Sequence, residues 1–388
     1  MSKKRILGRK IESTVVFALL LISILSLAFD FQPARAYSGP VFIRPDGSVD
    51  PVDAPIARNG DLYLLTDNIT SDQDGLVIER SNMTLDGEGY TIQGVPVGSY
   101  GIRFAGINLT VKNMDIRGFA CGVELRGTNC TVANSIFTSN ERGIEVNYGS
   151  NNTILGNAAF SNYAEGILVA GFNNAILGNK VSGNGDGISL SSGADNTISG
   201  NNASSNGRAG IYLFYSVYNR VSDNVVSGNS YAGILLQGNN NSISDNKITL
   251  NPTGIRVFDA YDNKIFHNNL VNNTDQVYLA NPDNVWDDGY PSGGNYWSDY
   301  SGWDSNGDGI GDTPYVIGTS DQDNYPQMNP YIVGDVNYDG IVNALDLSAL
   351  AKAYGATEDS PSWNVRADTN DDLIIDAIDL FNLARNYG

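Results

Sequence analysis

Carboxylate and carboxamide oxygens recur at alternate positions near the end of this 388-residue chain. In a first run, Asp335, Asn337, Asp339, Asn343 and Asp346 fill positions one, three, five, nine and twelve of a loop, with the Ile341 carbonyl at seven. Asp368, Asn370, Asp372, Asp376 and Asp379, with the Ile374 carbonyl, repeat the run 33 residues later. Oxygen donors at that spacing wrap one hard cation, and calcium is the expected one. The second run has Leu373 where the first has Gly340. That position calls for a left-handed backbone, which glycine adopts freely and leucine only with strain. Asp304, Asn306, Asp308 and Asp312, with the Ile310 carbonyl, form a third run. Pro314 and Tyr315 follow it where a twelfth-position carboxylate would stand, so it is expected to be an isolated calcium loop.

Two further chemistries can be weighed from residue type. Glu165 and Asp186 each precede a Gly-Ile pair, as does Arg142. If the chain is repetitive there, the carboxylates lie one repeat apart and are candidates for acid–base or nucleophilic work on a glycoside, with Arg142 beside them. The bland reading is a row of solvated charges. Copper asks for imidazole, thiolate or thioether ligands. The chain offers a single histidine, His267, expected on a solvated face, and past its first residues only Met83, Met114 and Met328. Such a chain is poorly supplied for copper.

The element that must position these groups is a repeat. Asparagines recur at 108, 129, 152, 174, 196, 219, 241 and 263, and a second row runs from Asn113 to Asn268. From Asn157 onward a third asparagine follows five residues later, beginning at Asn162. Short period-two apolar runs lie between them, such as Ile154 to Ile265 in one register and Ala159 to Leu270 in another. Gly-Ile-x-Leu patterns complete each unit. A period of about 22 with three short strands per unit predicts a right-handed, three-sheet parallel β-helix, mainly β in class. Stacked asparagines are expected to form amide ladders at its corners.

The first 36 residues read as a signal peptide. A basic start, an apolar core from Val15 to Phe29 and Ala34-Arg35-Ala36 have the pattern of a cleaved export signal. No later stretch is long and apolar enough to span a bilayer. The formal charge of −20 argues against nucleic acid and anionic membranes as partners. Cys121 and Cys130 are the two cysteines, and spacing leaves their pairing open. The chain divides into an N-terminal cap with the first strands over 37–80, the β-helix over 81–285, an aromatic, Gly-rich cap over 286–332, and a calcium-loop tail over 333–388. The aromatics of the second cap either plug the last coil or stack on sugar; the plug is the preferred reading.

Two family resemblances follow from these motifs. The lead-in VFIRPDGSVDPVDAPIARNGDLYLLTDNI, the LDGEGYTIQG element, the coils and GNYWSDYSGWDSNGDGIGDTPY resemble secreted NosD-like β-helix proteins over about residues 40–330. That resemblance implies carbohydrate-binding or sugar-hydrolase coils, or a copper accessory role. The tail, two loops each followed by LSALAKAYG or LFNLARNYG, resembles a type I dockerin. It implies calcium-dependent docking to a cohesin-type module through Ala344 and Leu345, mirrored by Ala377 and Ile378. The expectation is therefore an extracellular, surface- or scaffold-attached protein whose β-helix contacts polysaccharide or a surface glycan. The alternatives are a polysaccharide lyase, glycoside hydrolase or epimerase, a spacer, and a copper-binding accessory protein. The familiar Gly-His-Gly and Asp-Pro-His motifs of polygalacturonases and epimerases are absent.

Overall fold

The computed structural model describes residues 37–95, 98–280, 283–319, 321–337, 339–370 and 372–388. The expected signal peptide lies outside them. Residues from Ser38 onward form one unit. It is a right-handed parallel β-helix of three sheets, with 12, 12 and 11 described strands, followed by a small helical tail. We call sheet 1 the one holding Ala158–Phe160, sheet 2 the one holding Glu165–Phe172, and sheet 3 the one holding Ala175–Leu177.

Each apolar register of the sequence becomes one inward column. Ile144, Ile167, Ile188, Ile211, Ile234 and Ile255 are successive partners in sheet 2 and are fully buried. Ile154 to Ile265 do the same in sheet 3, and Ala159 to Leu270 in sheet 1. Burial of each such branched side chain is worth roughly 1.5–3 kcal/mol. The glycine ahead of the sheet 2 isoleucine allows neighbouring coils to close up. A Cβ on Gly187 would stand 2.4 Å from the Gly210 carbonyl oxygen.

The corners are held by three asparagine ladders. At each rung the amide and the backbone N–H of one asparagine donate to the side-chain oxygen of the next coil's asparagine. Asn179 does so to Asn201 at 2.9 and 2.8 Å, and its amide also donates to the Ile154 carbonyl at 2.8 Å. The ladder residues are buried. The left-handed turn falls on the residue before them, for example Asn151, Asn173 and Asp195. This corrects the start of the first two sequence rows. Asn129 and Asn134 are themselves left-handed corner residues, and Cys130 and Ser135 occupy the ladder positions, donating their N–H groups to Asn152 and Asn157.

Both ends of the stack are closed. At the start, the antiparallel pair Ile56–Asn59 and Leu62–Leu65 leads into the coils. Tyr63 there is wholly buried and donates its hydroxyl to the Gly47 carbonyl. At the far end an antiparallel hairpin, Tyr315–Ile317 with Asp321–Asp323, ends two ladders with carboxylates. Asp321 accepts from the Asn284 N–H and the Trp286 indole, and Asp323 from the Asn295 N–H and the Trp297 indole. Burial pushes the Asp323 carboxyl up to about 7 in spite of these donors. Trp286 and Trp297 are buried, so they plug the stack, whereas Trp303 and Tyr290 are exposed.

The tail follows with helix α1, Ala344–Ala353, and helix α2, Ala377–Arg385. They enclose a small core of Val336, Val342, Leu350, Ala367, Ile375 and Leu383. The tail is tied to the last coils. Asn269 exchanges two hydrogen bonds with the Tyr331 backbone, and Arg366 donates to the Gln327 side chain and the Asp335 carbonyl. Among the described residues no helix is long and apolar enough to cross a membrane.

Candidate functional site

Three loops share one hydrogen-bonding pattern. In the first tail loop, the Asp339 and Gly340 N–H groups donate to the two oxygens of Asp335, and the Ile341 N–H to Asp339. In the second, Asp372 and Leu373 donate to Asp368 and Ile374 to Asp372. In the cap, Asp308 and Gly309 donate to Asp304 and Ile310 to Asp308. Asn337, Asn370 and Asn306 each point an amide at the fifth-position carboxylate. The sixth residue is left-handed in all three: Gly340 at φ 83°, Leu373 at 66° and Gly309 at 83°. Leucine therefore takes the strained conformation its position demands.

What separates the loops is the twelfth position. Oxygens of Asp335, Asp339 and Asp346 lie within 4.8 Å of one another. Asp346 and Asp379 are fully buried, each held by the backbone N–H of its own loop's ninth residue. Burial holds the Asp335 carboxyl above its ordinary range, against the Gly340 N–H. Asp335 and Asp346 are buried and Asp339 is exposed, and such a convergence of oxygens suits a hard cation. The ninth-position residues Asn343 and Asp376 are the helix N-caps, accepting from Leu345 and Ile378. In the cap loop, Asp312 instead accepts from the Ser305 N–H, and Tyr315 stands at the twelfth position.

Among the described residues, the donors do not fit copper. His267 is buried rather than solvated. Its Nε2 sits 3.0 Å from the Ser292 carbonyl, its ring stacks on Tyr331 at 4.1 Å, and burial pushes its pKa down to about 3. Cys121 and Cys130 are free, buried thiols pushed upward by burial, each turned onto backbone carbonyls. Met83 and Met114 lie in the core. Among the described residues the acidic tail cluster is where potential metal ligands converge.

The outer face of sheet 2 carries the other candidates. Glu165 and Asp186 are register partners, one coil apart. Arg142 donates to Glu165 at 2.9 Å, while Asp186 is taken at 2.6 and 2.9 Å by Arg208, a residue the sequence reading did not single out. Both carboxylates are thus ion-paired. A second pair stands beside them, Glu124 above Glu145 in register. Glu124 is 1% exposed; one oxygen accepts from Arg126 and the other, buried, has no partner. Burial, with the Glu124 charge, holds Glu145 above the usual carboxylate range against the pull of Arg142.

Comparison with known proteins agrees with this geometry. Residues 333–386 match the model of the dockerin type I domain, 57–203 that of the right-handed β-helix region, and 158–302 that of the periplasmic copper-binding protein (NosD). The chain is a right-handed β-helix whose later coils are similar to NosD and whose tail matches the dockerin type I domain. Curated relatives include a probable ABC transporter binding protein NosD of Stutzerimonas stutzeri, 35% identical over 124 residues. The match covers 27% of this chain and 28% of the relative. Its counterpart in Pseudomonas aeruginosa is 34% identical over 107 residues, covering 27% of this chain and 19% of that protein. The chain thus spans under a third of either relative. Among solved structures, the A-module of an Azotobacter vinelandii mannuronan C-5 epimerase aligns with a TM-score of 0.49 at 16% identity, over 56% of this chain and 71% of that one. That likeness is too distant to carry function.

Proposed function

We propose that this is an exported, extracellular protein, held on a cell surface or scaffold by its dockerin while the β-helix contacts polysaccharide. The observation that carries the reading is the duplicated docking pair. Ala344 and Leu345 at the start of α1, and Ala377 and Ile378 at the start of α2, are all exposed, with Leu345 at 64% and Ile378 at 51%. Apolar side chains matched in type and presented at two equivalent helix starts suit a helix-on-surface contact in either of two orientations. Calcium held by Asp335, Asn337, Asp339, Ile341, Asn343 and Asp346, and by the matching residues of the second loop, would set both helix starts. The Asp304–Asp312 loop takes calcium in the same way, without a twelfth ligand. Capture of the full chain by immobilised cohesins, with and without a chelator, tests the reading. Binding that is lost with chelator, and lost when Leu345 and Ile378 are both changed to Asp, is expected; binding indifferent to chelator would refute it.

A second reading puts polysaccharide chemistry on the sheet 2 face, and the buried, unpartnered Glu124 oxygen beside Glu145 favours it. A reducing-end assay on a polysaccharide panel decides, with Glu145→Gln expected to abolish turnover and Glu165→Gln with Asp186→Asn to reduce it. Turnover unchanged in both would remove an enzyme from this face.

A further inference from the structure

One outward column of sheet 2 runs Glu124, Glu145, Leu168, Ser189, Tyr212, Leu235, Arg256, Tyr278, each the register partner of the next. Its early members are carboxylates and its late members are aromatic and cationic. The Arg256 guanidinium lies 3.8 Å from the ring centre of Tyr278 and 4.8 Å from that of Tyr231. Among the described residues it makes no hydrogen bond or ion pair, whereas Arg142 and Arg208 on the same face each hold a carboxylate. Tyr231 and Tyr278 are 41% and 44% exposed. A cation steadied by two rings, with its N–H donors unanswered, is suited to a planar anion, which it meets with two parallel hydrogen bonds.

We infer that this end of the sheet 2 face binds a carboxylate-bearing polysaccharide, with Arg256 taking the carboxylate and Tyr231, Tyr278 and Tyr212 contacting the sugar rings. The inference rests on the glycan-contact reading above and names the substrate class. The acidity of the whole chain does not oppose it. Residues 100–280 hold 11 basic and 12 acidic side chains, whereas residues 283–388 hold 3 and 19. The coil body is nearly neutral, and the tail's field fades beyond a screening length of about 8 Å at physiological salt. Successive coils advance by roughly 4.8 Å, so an extended polymer lying along the axis meets the same face again at each coil.

Affinity electrophoresis of the full chain in gels containing polygalacturonate, its fully methyl-esterified form or neutral dextran tests this. Retardation by polygalacturonate is expected to exceed that by the ester at least tenfold in apparent Kd. Arg256→Ala should erase the difference, Arg256→Lys should restore part of it, and Tyr278→Ala should weaken retention by polygalacturonate. Equal retardation by acid and ester, or a preference that survives Arg256→Ala, overturns the carboxylate inference and leaves the glycan reading standing. Retardation by none of the three polymers overturns both.

Discussion

The coil body and the tail satisfy their buried polar groups in opposite ways. In the body, an asparagine amide is answered by the same amide one coil on, as Asn179 is by Asn201 and Asn201 by Asn224. A carboxamide both donates and accepts, so a column of identical residues is complete in itself. In the tail, Asp335, Asp339 and Asp346 converge on backbone N–H groups, and burial holds the Asp335 carboxyl above its ordinary range in spite of the nearby Arg366 guanidinium. A carboxylate only accepts, and copies of it repel, so the arrangement suits a cation. Repetition therefore builds a nearly neutral rod, while duplication of an acidic loop gathers like charges that a hard cation would balance.

The sharpest way to break that contrast is to remove divalent cations. With chelator, the tail should lose its helical signal and unfold while the coil body stays folded, its melting lowered only by the share of the one Asp304–Asp312 loop. At ion concentrations about a thousand times Kd, each site supplies roughly 4 kcal/mol, comparable with all a core this small can offer. Calorimetry resolving two transitions checks it, and a single transition that ignores chelator would dissolve the distinction. Next in size, Asn201→Ala should destabilise the body by roughly 3–6 kcal/mol, because several buried donors and acceptors lose their partner at about 1–3 kcal/mol each. The Asn179 N–H and amide and the Ile176 carbonyl lose a partner, while the Asn224 oxygen keeps the backbone N–H of residue 201. Denaturant melts followed by β-sheet circular dichroism read this, and calcium should not rescue the variant. The smallest effect sharpens the comparison inside the tail. Leu373→Gly relieves a left-handed leucine at φ 66°, a gain of about 1–2 kcal/mol. Calcium titration should show the second loop tightening toward the first.

Much of this was legible in single residues. The inward columns of sheet 2 follow from the spacing of Ile167, Ile188 and Ile211, because a buried side chain in a repeat can only lie on its equivalent. The strain at Leu373 follows from one letter in a loop whose sixth position is geometrically demanding. The ladder start is not legible in sequence, because asparagine serves both the left-handed corner and the ladder, and only the backbone separates Asn129 from Asn152. The polar neighbours of His267 predict a solvated face, yet Ser292 and Tyr331 come from elsewhere to cover it.

Sequence alone determined the coil, its three registers and the spacing of the oxygen loops, since each depends on residues a short and constant distance apart. Tertiary structure decided the rest. It showed that Asp186 belongs to Arg208, that Glu124 is buried with an unanswered oxygen, that Arg256 rests on two tyrosines, and that Asp321 and Asp323 end the ladders. Those pairings rest on how far an outward side chain reaches and what has been folded over it, and periodicity carries no information about either.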